Sequence, residues 1–269
     1  MEPQVIRKNC SSADFDGDGK SDLTVWRSVS TGQPSGNAFF YIFQSSNNTI
    51  RIEDFGQQGD TPTVVGDYDG DGKADVAVYR PGPVAGAQSF WYYRGSLNNP
   101  GGNITYVQWG QNGDFPASGD YDGDGKYDFV MQRNNGGGQA RFWMLQTTAG
   151  IQTVVFGTPT DLIVPGDYDG DGKMDIAVLR ASGGQILWFV RPSSTGEVSA
   201  TPFAIFGNSA TDFPTAGDYD GDGKTDPAIW RPSPTPGESR FWVRQSTGSV
   251  ITSAFGQQGD YPVANFRTF

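Results

Sequence analysis

A nine-residue phrase, Asp-Tyr-Asp-Gly-Asp-Gly-Lys-Xaa-Asp, occurs five times and constrains the fold of this chain more than any other feature. The copies, the first with Phe in place of Tyr, are residues 14–22, 67–75, 120–128, 167–175 and 218–226. Each copy places carboxylates at positions 1, 3, 5 and 9, a turn-forming Gly at position 6 and a backbone carbonyl at position 7. Because Ca²⁺ prefers a cage of such oxygens, each copy is predicted to be a calcium loop.

The predicted ligands are equivalent residues of the five loops, and about five structural calcium ions per chain are expected. The carboxylates belong to Asp14, Asp16, Asp18, Asp22, Asp67, Asp69, Asp71, Asp75, Asp120, Asp122, Asp124, Asp128, Asp167, Asp169, Asp171, Asp175, Asp218, Asp220, Asp222 and Asp226. The backbone carbonyls belong to Lys20, Lys73, Lys126, Lys173 and Lys224.

The loops do not belong to a helix-loop-helix hand, which needs a bidentate Glu at position 12. That position holds an apolar residue in every copy: Val25, Val78, Met131, Val178 or Ile229. The surrounding runs are rich in β-branched residues, so each loop is predicted to lead into a strand.

The acidity of the chain is concentrated in these loops, which contain 20 of its 30 acidic residues. Five calcium ions would add ten positive charges to a formal net charge of −11 and leave the total near −1. The chain therefore lacks the basic surface that nucleic acid requires. No apolar stretch of about 18 residues is present, which argues against membrane insertion. The sequence also has no His, the commonest general base.

Segments typical of β-strands surround each loop. A short segment beginning at Pro leads into the loop, and an apolar strand follows the loop. An aromatic run forms the third strand, and the fourth strand ends in an aromatic-Gly pair. The loops start 53, 53, 47 and 51 residues apart. Four strands per roughly 50 residues, without a helical period, are typical of a propeller blade. We therefore predict an all-β propeller of five four-stranded blades, forming a single domain over residues 1–269.

The two ends of the chain are predicted to complete one blade. The first loop lacks the aromatic-Gly pair and the Gly-Asp-Xaa-Pro lead-in that precede other loops, and residues 255–262 supply both. We expect this C-terminal strand to join the first blade and close the ring, which removes exposed strand edges. No loop carboxylates follow Pro262, so no sixth calcium site is expected.

These repeats resemble the FG-GAP/VCBS repeat family, which includes the integrin α-subunit propeller and many secreted bacterial proteins. The resemblance extends from about Asp14 to Pro262 and depends on the aspartate phrase. It implies a propeller with calcium in the hairpin between the first two strands of each blade, acting in extracellular binding. Members of the family commonly have more than five blades, which leaves open whether this ring closes alone or by oligomerisation.

Three further sets of residues recur with the blades. The aromatic runs are interpreted as packing between sheets, with the alternative that some rings stack on sugars, the first candidates being Trp91, Trp143, Trp188 and Trp242. The second strand ends near an Arg, expected to pair with a loop Asp or to stack on a ring: Arg27, Arg80, Arg133, Arg180 or Arg231. The lead-in carboxylates are expected to be turn residues: Asp60, Asp114, Asp161, Asp212 and Asp260.

The sequence favours an extracellular interaction module whose partner is a glycan or a protein. Two alternatives stay open: a structural block that self-associates in a surface assembly or filament, and a polysaccharide-active enzyme. We expect no enzyme activity, because no non-repeating cluster of acid, base and nucleophile is visible. Met1-Glu2-Pro3-Gln4 shows no signal-peptide pattern, so a secreted form is expected to have lost its leader. The lone Cys10 is expected to be a small, partly buried side chain.

Overall fold

A computed structural model describes residues 13–28 and 37–263, and the prediction for Cys10 lies outside these ranges. The described residues form five antiparallel sheets arranged as the blades of a β-propeller. The predicted all-β, five-bladed architecture is confirmed. None of the described residues forms a helix with the length and hydropathy needed to span a bilayer.

Each blade has an innermost position near the propeller axis, followed outwards by three longer strands. The longer strands of the first two blades are β1 (Leu23–Ser28), β2 (Asn37–Phe43), β3 (Ile50–Gln57), β4 (Val76–Arg80), β5 (Gln88–Arg94) and β6 (Thr105–Gln111). The third blade consists of β7 (Phe115–Pro116), β8 (Phe129–Gly136), β9 (Gln139–Gln146) and β10 (Gly150–Val155). The remaining strands are β11 (Leu162–Ile163), β12 (Ile176–Ser182), β13 (Gln185–Arg191), β14 (Ala204–Asn208), β15 (Phe213–Pro214), β16 (Ala228–Arg231), β17 (Arg240–Arg244), β18 (Val250–Ala254) and β19 (Tyr261–Pro262).

The C-terminal strand closes the ring as predicted. β19 pairs antiparallel with β1, with Tyr261 opposite Trp26 and Pro262 opposite Val25. The Val263 amide extends this pairing with a hydrogen bond of 3.0 Å to the Thr24 carbonyl. The first blade is therefore assembled from both ends of the described chain.

The second blade differs from the other four at its innermost position. Its sheet contains β4, β5 and β6, and the innermost element is a single bridge between Thr61 and Tyr79. Two backbone hydrogen bonds, of 2.8 and 2.9 Å, form this bridge. The innermost edge of this blade is therefore shorter than the two-residue strands found elsewhere.

The hydrophobic core lies between neighbouring sheets. Successive side chains of a strand point to opposite faces, and the third strands accordingly alternate in burial, as at Ala38, Phe40 and Ile42 of β2. One cluster contains Trp91 and Phe142, which belong to consecutive blades. The packing of these aromatic runs between blades explains why they recur.

Each innermost segment connects two distinct ends of its blade. In the second blade it begins after Asp60, at the Thr61 bridge, and reaches the acidic loop after the bridge between Gly66 and Asp75. At about 3.3 Å per residue, the segment separates these two ends by roughly 20 Å. We call them the lead-in end, which carries Asp60 and its equivalents, and the loop end, which carries the acidic loops.

Candidate metal centres

Each acidic loop turns between the innermost segment and the second strand of its blade. Its two glycines have positive φ angles, for example 84° at both Gly70 and Gly72. Side chains other than Gly rarely adopt this conformation. The repeated glycines thus allow the loop to fold back on its own first carboxylate.

Backbone amides fix the first and last carboxylates of the loop. In the second blade, Asp67 accepts hydrogen bonds of 2.6 Å from the amides of Gly70 and Gly72. Asp75 accepts from the amides of Tyr68, at 3.0 Å, and Ser96, at 2.9 Å. The other loops repeat this pattern. The carboxylates are therefore held in place by the fold.

The structure brings predicted ligands together in all five loops, one group in each blade. In every group, three carboxylates have a ligand atom within 4.8 Å of the others. The groups are Asp14, Asp16 and Asp18; Asp67, Asp69 and Asp71; Asp120, Asp122 and Asp128; Asp167, Asp169 and Asp175; and Asp218, Asp220 and Asp226. Such a set could hold a metal ion and is compatible with calcium. The five Lys carbonyls stay predicted ligands.

Two carboxylate oxygens indicate that a cation fits these loops. The Oδ1 atoms of Asp69 and Asp122 are buried and have no hydrogen-bond partner. A buried acceptor without a donor is costly, and both atoms belong to position 3 of their loops, inside the groups of acids. A bound cation would supply the missing partner.

Burial also disfavours the charged form of the last carboxylate of each loop. In the second blade, burial, together with the nearby charges of Asp69 and Asp67, raises the pKa of Asp75 to about 7 against the opposing hydrogen bonds from two amides. The pKa is likewise raised to about 7 at Asp22, Asp128, Asp175 and Asp226. A cation in the group would favour the ionised form.

Hydroxyl groups that the sequence analysis missed cover each loop. In the second blade, Ser96 Oγ donates a hydrogen bond of 2.7 Å to Asp71. The equivalent donors after the third strands are Ser45, Thr147, Ser193 and Ser246. Their signal in the sequence is a Ser or Thr that recurs one or two residues after the third strand. They orient position 5 of the loop.

Backbone hydrogen bonds link the five loops to one another. The amide at position 8 of each loop donates to the carbonyl at position 1 of the preceding loop, at 2.6 or 2.7 Å. The pairs are Ala74 to Asp14, Tyr127 to Asp67, Met174 to Asp120, Thr225 to Asp167 and Ser21 to Asp218. The last pair joins the first blade to the fifth. The loops therefore form a closed ring around the propeller axis.

The recurring Arg residues lie at the other end of the blades, so their predicted pairing with a loop Asp is wrong. Each forms two hydrogen bonds with a lead-in Asp, as Arg80 does with Asp60 at 2.7 and 2.8 Å. The other pairs are Arg27 with Asp260, Arg133 with Asp114, Arg180 with Asp161 and Arg231 with Asp212.

Each Arg also lies over a ring of the third strand, as Arg80 does over Tyr92, which confirms the predicted stacking. Each lead-in Asp accepts a turn amide, as expected.

The four candidate Trp residues occupy two different positions. Trp91 and Trp188 are buried, with 1% and 0% of their surface exposed. Their indole nitrogens donate to the carbonyls of the aromatic-Gly pairs at 3.1 and 2.9 Å. Trp143 and Trp242 are half-buried beneath Arg133 and Arg231. Only this second pair has ring surface within reach of a ligand.

Comparisons with known proteins identify the repeat. The model of the FG-GAP-like repeat matches residues 14–78, 120–178 and 167–228. No curated protein gave a significant match. A protein from Bacteroides uniformis, whose structure is titled a "putative 6-phosphogluconolactonase", is 14% identical, with 91% of this chain and 98% of that chain covered and a TM-score of 0.36. A protein from Lactobacillus plantarum is 9% identical, with 90% and 82% covered and a TM-score of 0.35.

The expectation that the chain is not an enzyme is corrected at this point. A structural neighbour carries the name of an enzyme, and the regularity of a repeat does not exclude a catalytic site, because one scaffold hosts many functions. The repeat is also interrupted, since the bridge at Thr61 replaces an innermost strand. No activity is transferred to this chain, because a likeness at 14% identity and a TM-score of 0.36 is too weak to assign one.

Proposed function

The chain belongs to the FG-GAP-like repeat family, and from this premise we propose that its five acidic loops bind structural calcium and that the loaded propeller acts outside the cell as a binding module for a glycan or a protein. The observation that carries the proposal is the repeated group of carboxylates, with its unpartnered oxygens on Asp69 and Asp122. Calcium suits these loops because it accepts many oxygen ligands in flexible geometry, whereas Mg²⁺ demands a near-ideal octahedron.

The calcium proposed here has a structural role. Without a cation, each folded loop holds carboxylates in a partly buried, mutually repulsive group, which the unfolded chain does not. Calcium would therefore bind the folded state in preference to the unfolded one. At a free concentration about 100 times the dissociation constant, this preference stabilises the fold by roughly 2.7 kcal/mol per site.

Calorimetric titration of metal-stripped protein with calcium tests this part of the proposal. We expect the Asp122→Asn variant to lose or weaken one of the sites, because it removes one carboxylate from the third group. Glu238→Gln is the matched control, since Glu238 is exposed and outside the loops, and it should titrate like the parent. Absence of calcium binding by the folded parent, or the same titration for Asp122→Asn, would contradict the assignment.

The binding role is supported by the family and by the accessible rings of Trp143 and Trp242. A glycan-array screen in calcium, repeated in chelator, is its first test. Selective binding that chelator abolishes supports a calcium-dependent glycan-binding module. If folded protein binds no glycan in either condition, the remaining form of the proposal is recognition of a protein.

Self-association is a second candidate, favoured by the outer strands. These strands expose large apolar side chains, such as Ile50 and Ile52 of β3 at 57% each, and Tyr106 of β6 at 60%. Outer strands also present unpaired backbone groups that can join another sheet. Light scattering distinguishes this candidate, because association that rises with protein concentration and needs no added ligand would favour it.

A further inference from the structure

A cavity of about 590 Å³ opens at the lead-in end of the propeller. Its lining includes Thr61 of the second blade, Phe115 and Asn112 at the start of the third, Ile163 of the fourth and Tyr261 of the first. Four blades thus contribute to one space beside the propeller axis. The acidic loops lie at the opposite end of the innermost segments, so this cavity is separate from the candidate metal centres.

A break in the repeat accounts for the position of the cavity. The residue after the lead-in Asp is large in four blades and small in one: Phe115, Leu162, Phe213 and Tyr261 against Thr61. The blade with the small residue is also the one whose innermost strand is reduced to a single bridge. Thr61 therefore leaves unfilled the volume that a Phe occupies at the equivalent position of the third and fifth blades.

The charges of the lining exclude most ionic ligands. The carboxylates of Asp60, Asp114 and Asp161 belong to the lining, but each is paired with the guanidinium of an Arg. Among the described residues, the lining contains no Lys or Arg, so an anionic ligand would find no unpaired cation. A cationic ligand would find only carboxylates that are already neutralised.

The uncharged part of the lining combines rings with hydrogen-bonding groups. Phe115 and Tyr261 are half-buried, so part of each ring surface is accessible from the cavity. Thr61 and Thr63 contribute hydroxyls, and Asn112 contributes an amide. An apolar surface with a few placed polar groups, in a volume between about 300 and 1,000 Å³, is typical of a small-molecule site.

We propose that this cavity binds the end of a neutral saccharide, with an apolar sugar face on the ring of Phe115 or Tyr261 and sugar hydroxyls on the polar side chains around Thr61. The ligand class follows from the lining: a pyranose is uncharged, has one apolar face and carries hydroxyls that both donate and accept. This inference rests on the proposed binding function, but it locates the site beside the axis, in a lining that does not include Trp143 or Trp242.

The test is a substitution that fills the cavity with a residue the fold already uses. Thr61→Phe introduces the side chain found at the same position of the third and fifth blades. Leu162→Phe is the matched control, because it makes the equivalent change in a blade where this residue does not line the cavity. Phe115→Leu is a second variant, which keeps an apolar side chain and removes the ring.

The probe is an array of neutral oligosaccharides with glucose, galactose, mannose or N-acetylglucosamine at the non-reducing end, followed by calorimetry with the selected sugar. We expect Thr61→Phe to weaken binding by roughly tenfold or more, Phe115→Leu to weaken it less, and Leu162→Phe to leave it unchanged. Thermal melts in calcium check that each variant is folded.

Three results would overturn the inference and separate it from the proposed function. Binding that survives Thr61→Phe but is lost in Trp143→Ala would place the sugar at a blade junction and keep the binding module. Selection of acidic glycans alone would refute the ligand class. The cavity assignment also fails if the protein, folded and loaded with calcium, selects no neutral sugar. Recognition of a protein would then remain open.

Discussion

The two ends of the blades differ in how strictly the repeat is kept. At the loop end, all five copies have the same carboxylates, the same amide donors and the same link to the next loop. At the lead-in end, the Asp and Arg pair is constant, but the next residue changes from Thr61 to Phe115 or Leu162. A substitution at a loop carboxylate would remove an oxygen from the group, whereas a cavity is created by varying a side chain. The difference suggests that the loop end stabilises the ring and the lead-in end specifies a ligand.

Among the changes that test this difference between the two ends, removal of metal is expected to lower the stability of the fold most, because it acts on every loop at once. The melting temperature of chelator-treated protein should fall by more than about 10 °C relative to protein in saturating calcium, since roughly 2.7 kcal/mol is lost per site and each kcal/mol is worth about 2–4 °C at this chain length. Differential scanning calorimetry measures the change. Equal melting temperatures in calcium and in chelator would show that metal at the loop end does not stabilise the fold.

Removal of the closing strand should have the next largest effect. Deleting residues 257–269 takes away β19 and the ion pair of Asp260 with Arg27, and it leaves β1 as an exposed edge. We expect a sharp fall in melting temperature, measured in saturating calcium. Deletion of residues 264–269 alone is the control, because it keeps β19. If both deletions melt alike, ring closure by this strand does not stabilise the propeller.

Loss of one lead-in ion pair should have a smaller effect that is confined to its blade. Arg80→Gln leaves the carboxylate of Asp60 buried, with a side chain 1% exposed. We expect a loss of about 2–3 kcal/mol in unfolding free energy, below the full cost of breaking a buried pair because Arg80 is a third exposed. Chemical denaturation measures it.

Two further variants check the origin of that loss. The exposed Arg240 provides the control, since Arg240→Gln should change the free energy of unfolding little. Adding Asp60→Asn to Arg80→Gln should recover part of the stability, because it removes the unpaired charge. A double variant no more stable than Arg80→Gln would show that the pair matters for packing and not for charge.

A further expected effect is a dependence on pH that changes sign with metal. The pKa of Asp75 is about 7 in the folded, metal-free protein, above the ordinary value near 3.8, so the folded state binds more protons than the unfolded chain. Metal-free protein should therefore lose stability as the pH rises from about 4 to 7. Melts of metal-stripped protein at pH 5 and pH 8 measure this, and higher stability at pH 8 would contradict it.

In saturating calcium the order should reverse. Protons compete with the cation for the same carboxylates, so acidification weakens calcium binding and its contribution to stability. The same pair of melts in calcium should thus give the higher melting temperature at pH 8. An unchanged order would mean that the loop carboxylates are not the ligands.

Much of the fold followed from residues that repeat at equal spacing. The carboxylate phrase located five loops, and the unmatched lead-in at residues 255–262 correctly predicted the closing strand. The stacking of Arg80 and its equivalents also followed from their recurrence. In each case the same local sequence forms the same local structure in several blades, so a prediction made for one copy applies to the others.

The positions of the Trp residues could not be read from recurrence in the aromatic runs. Trp91 and Trp188 align with the buried Phe40, whereas Trp143 and Trp242 align with its neighbour Tyr41. A shift of one residue moves a side chain to the opposite face of a sheet. One pair is therefore buried in the core and the other lies beneath an Arg.

Contacts between different blades could also not be predicted from the sequence. The links from one loop to the next use backbone atoms, for example the amide of Ala74 and the carbonyl of Asp14, and backbone atoms leave no pattern in side chains. The cavity depends on the packing of four blades around Thr61, which a single copy of the repeat does not encode. These features appear only when the ring is assembled.

The number of calcium ions bound per chain is the decisive quantity for a propeller with one metal centre in each blade. Native mass spectrometry of protein equilibrated with calcium, and again after treatment with chelator, counts them without assuming a ligand or an activity. We expect a calcium-loaded species with five ions, one for each acidic loop, that disappears on chelation. A folded protein with no specifically bound calcium, or with ions whose number does not change when a loop carboxylate is removed, would contradict it.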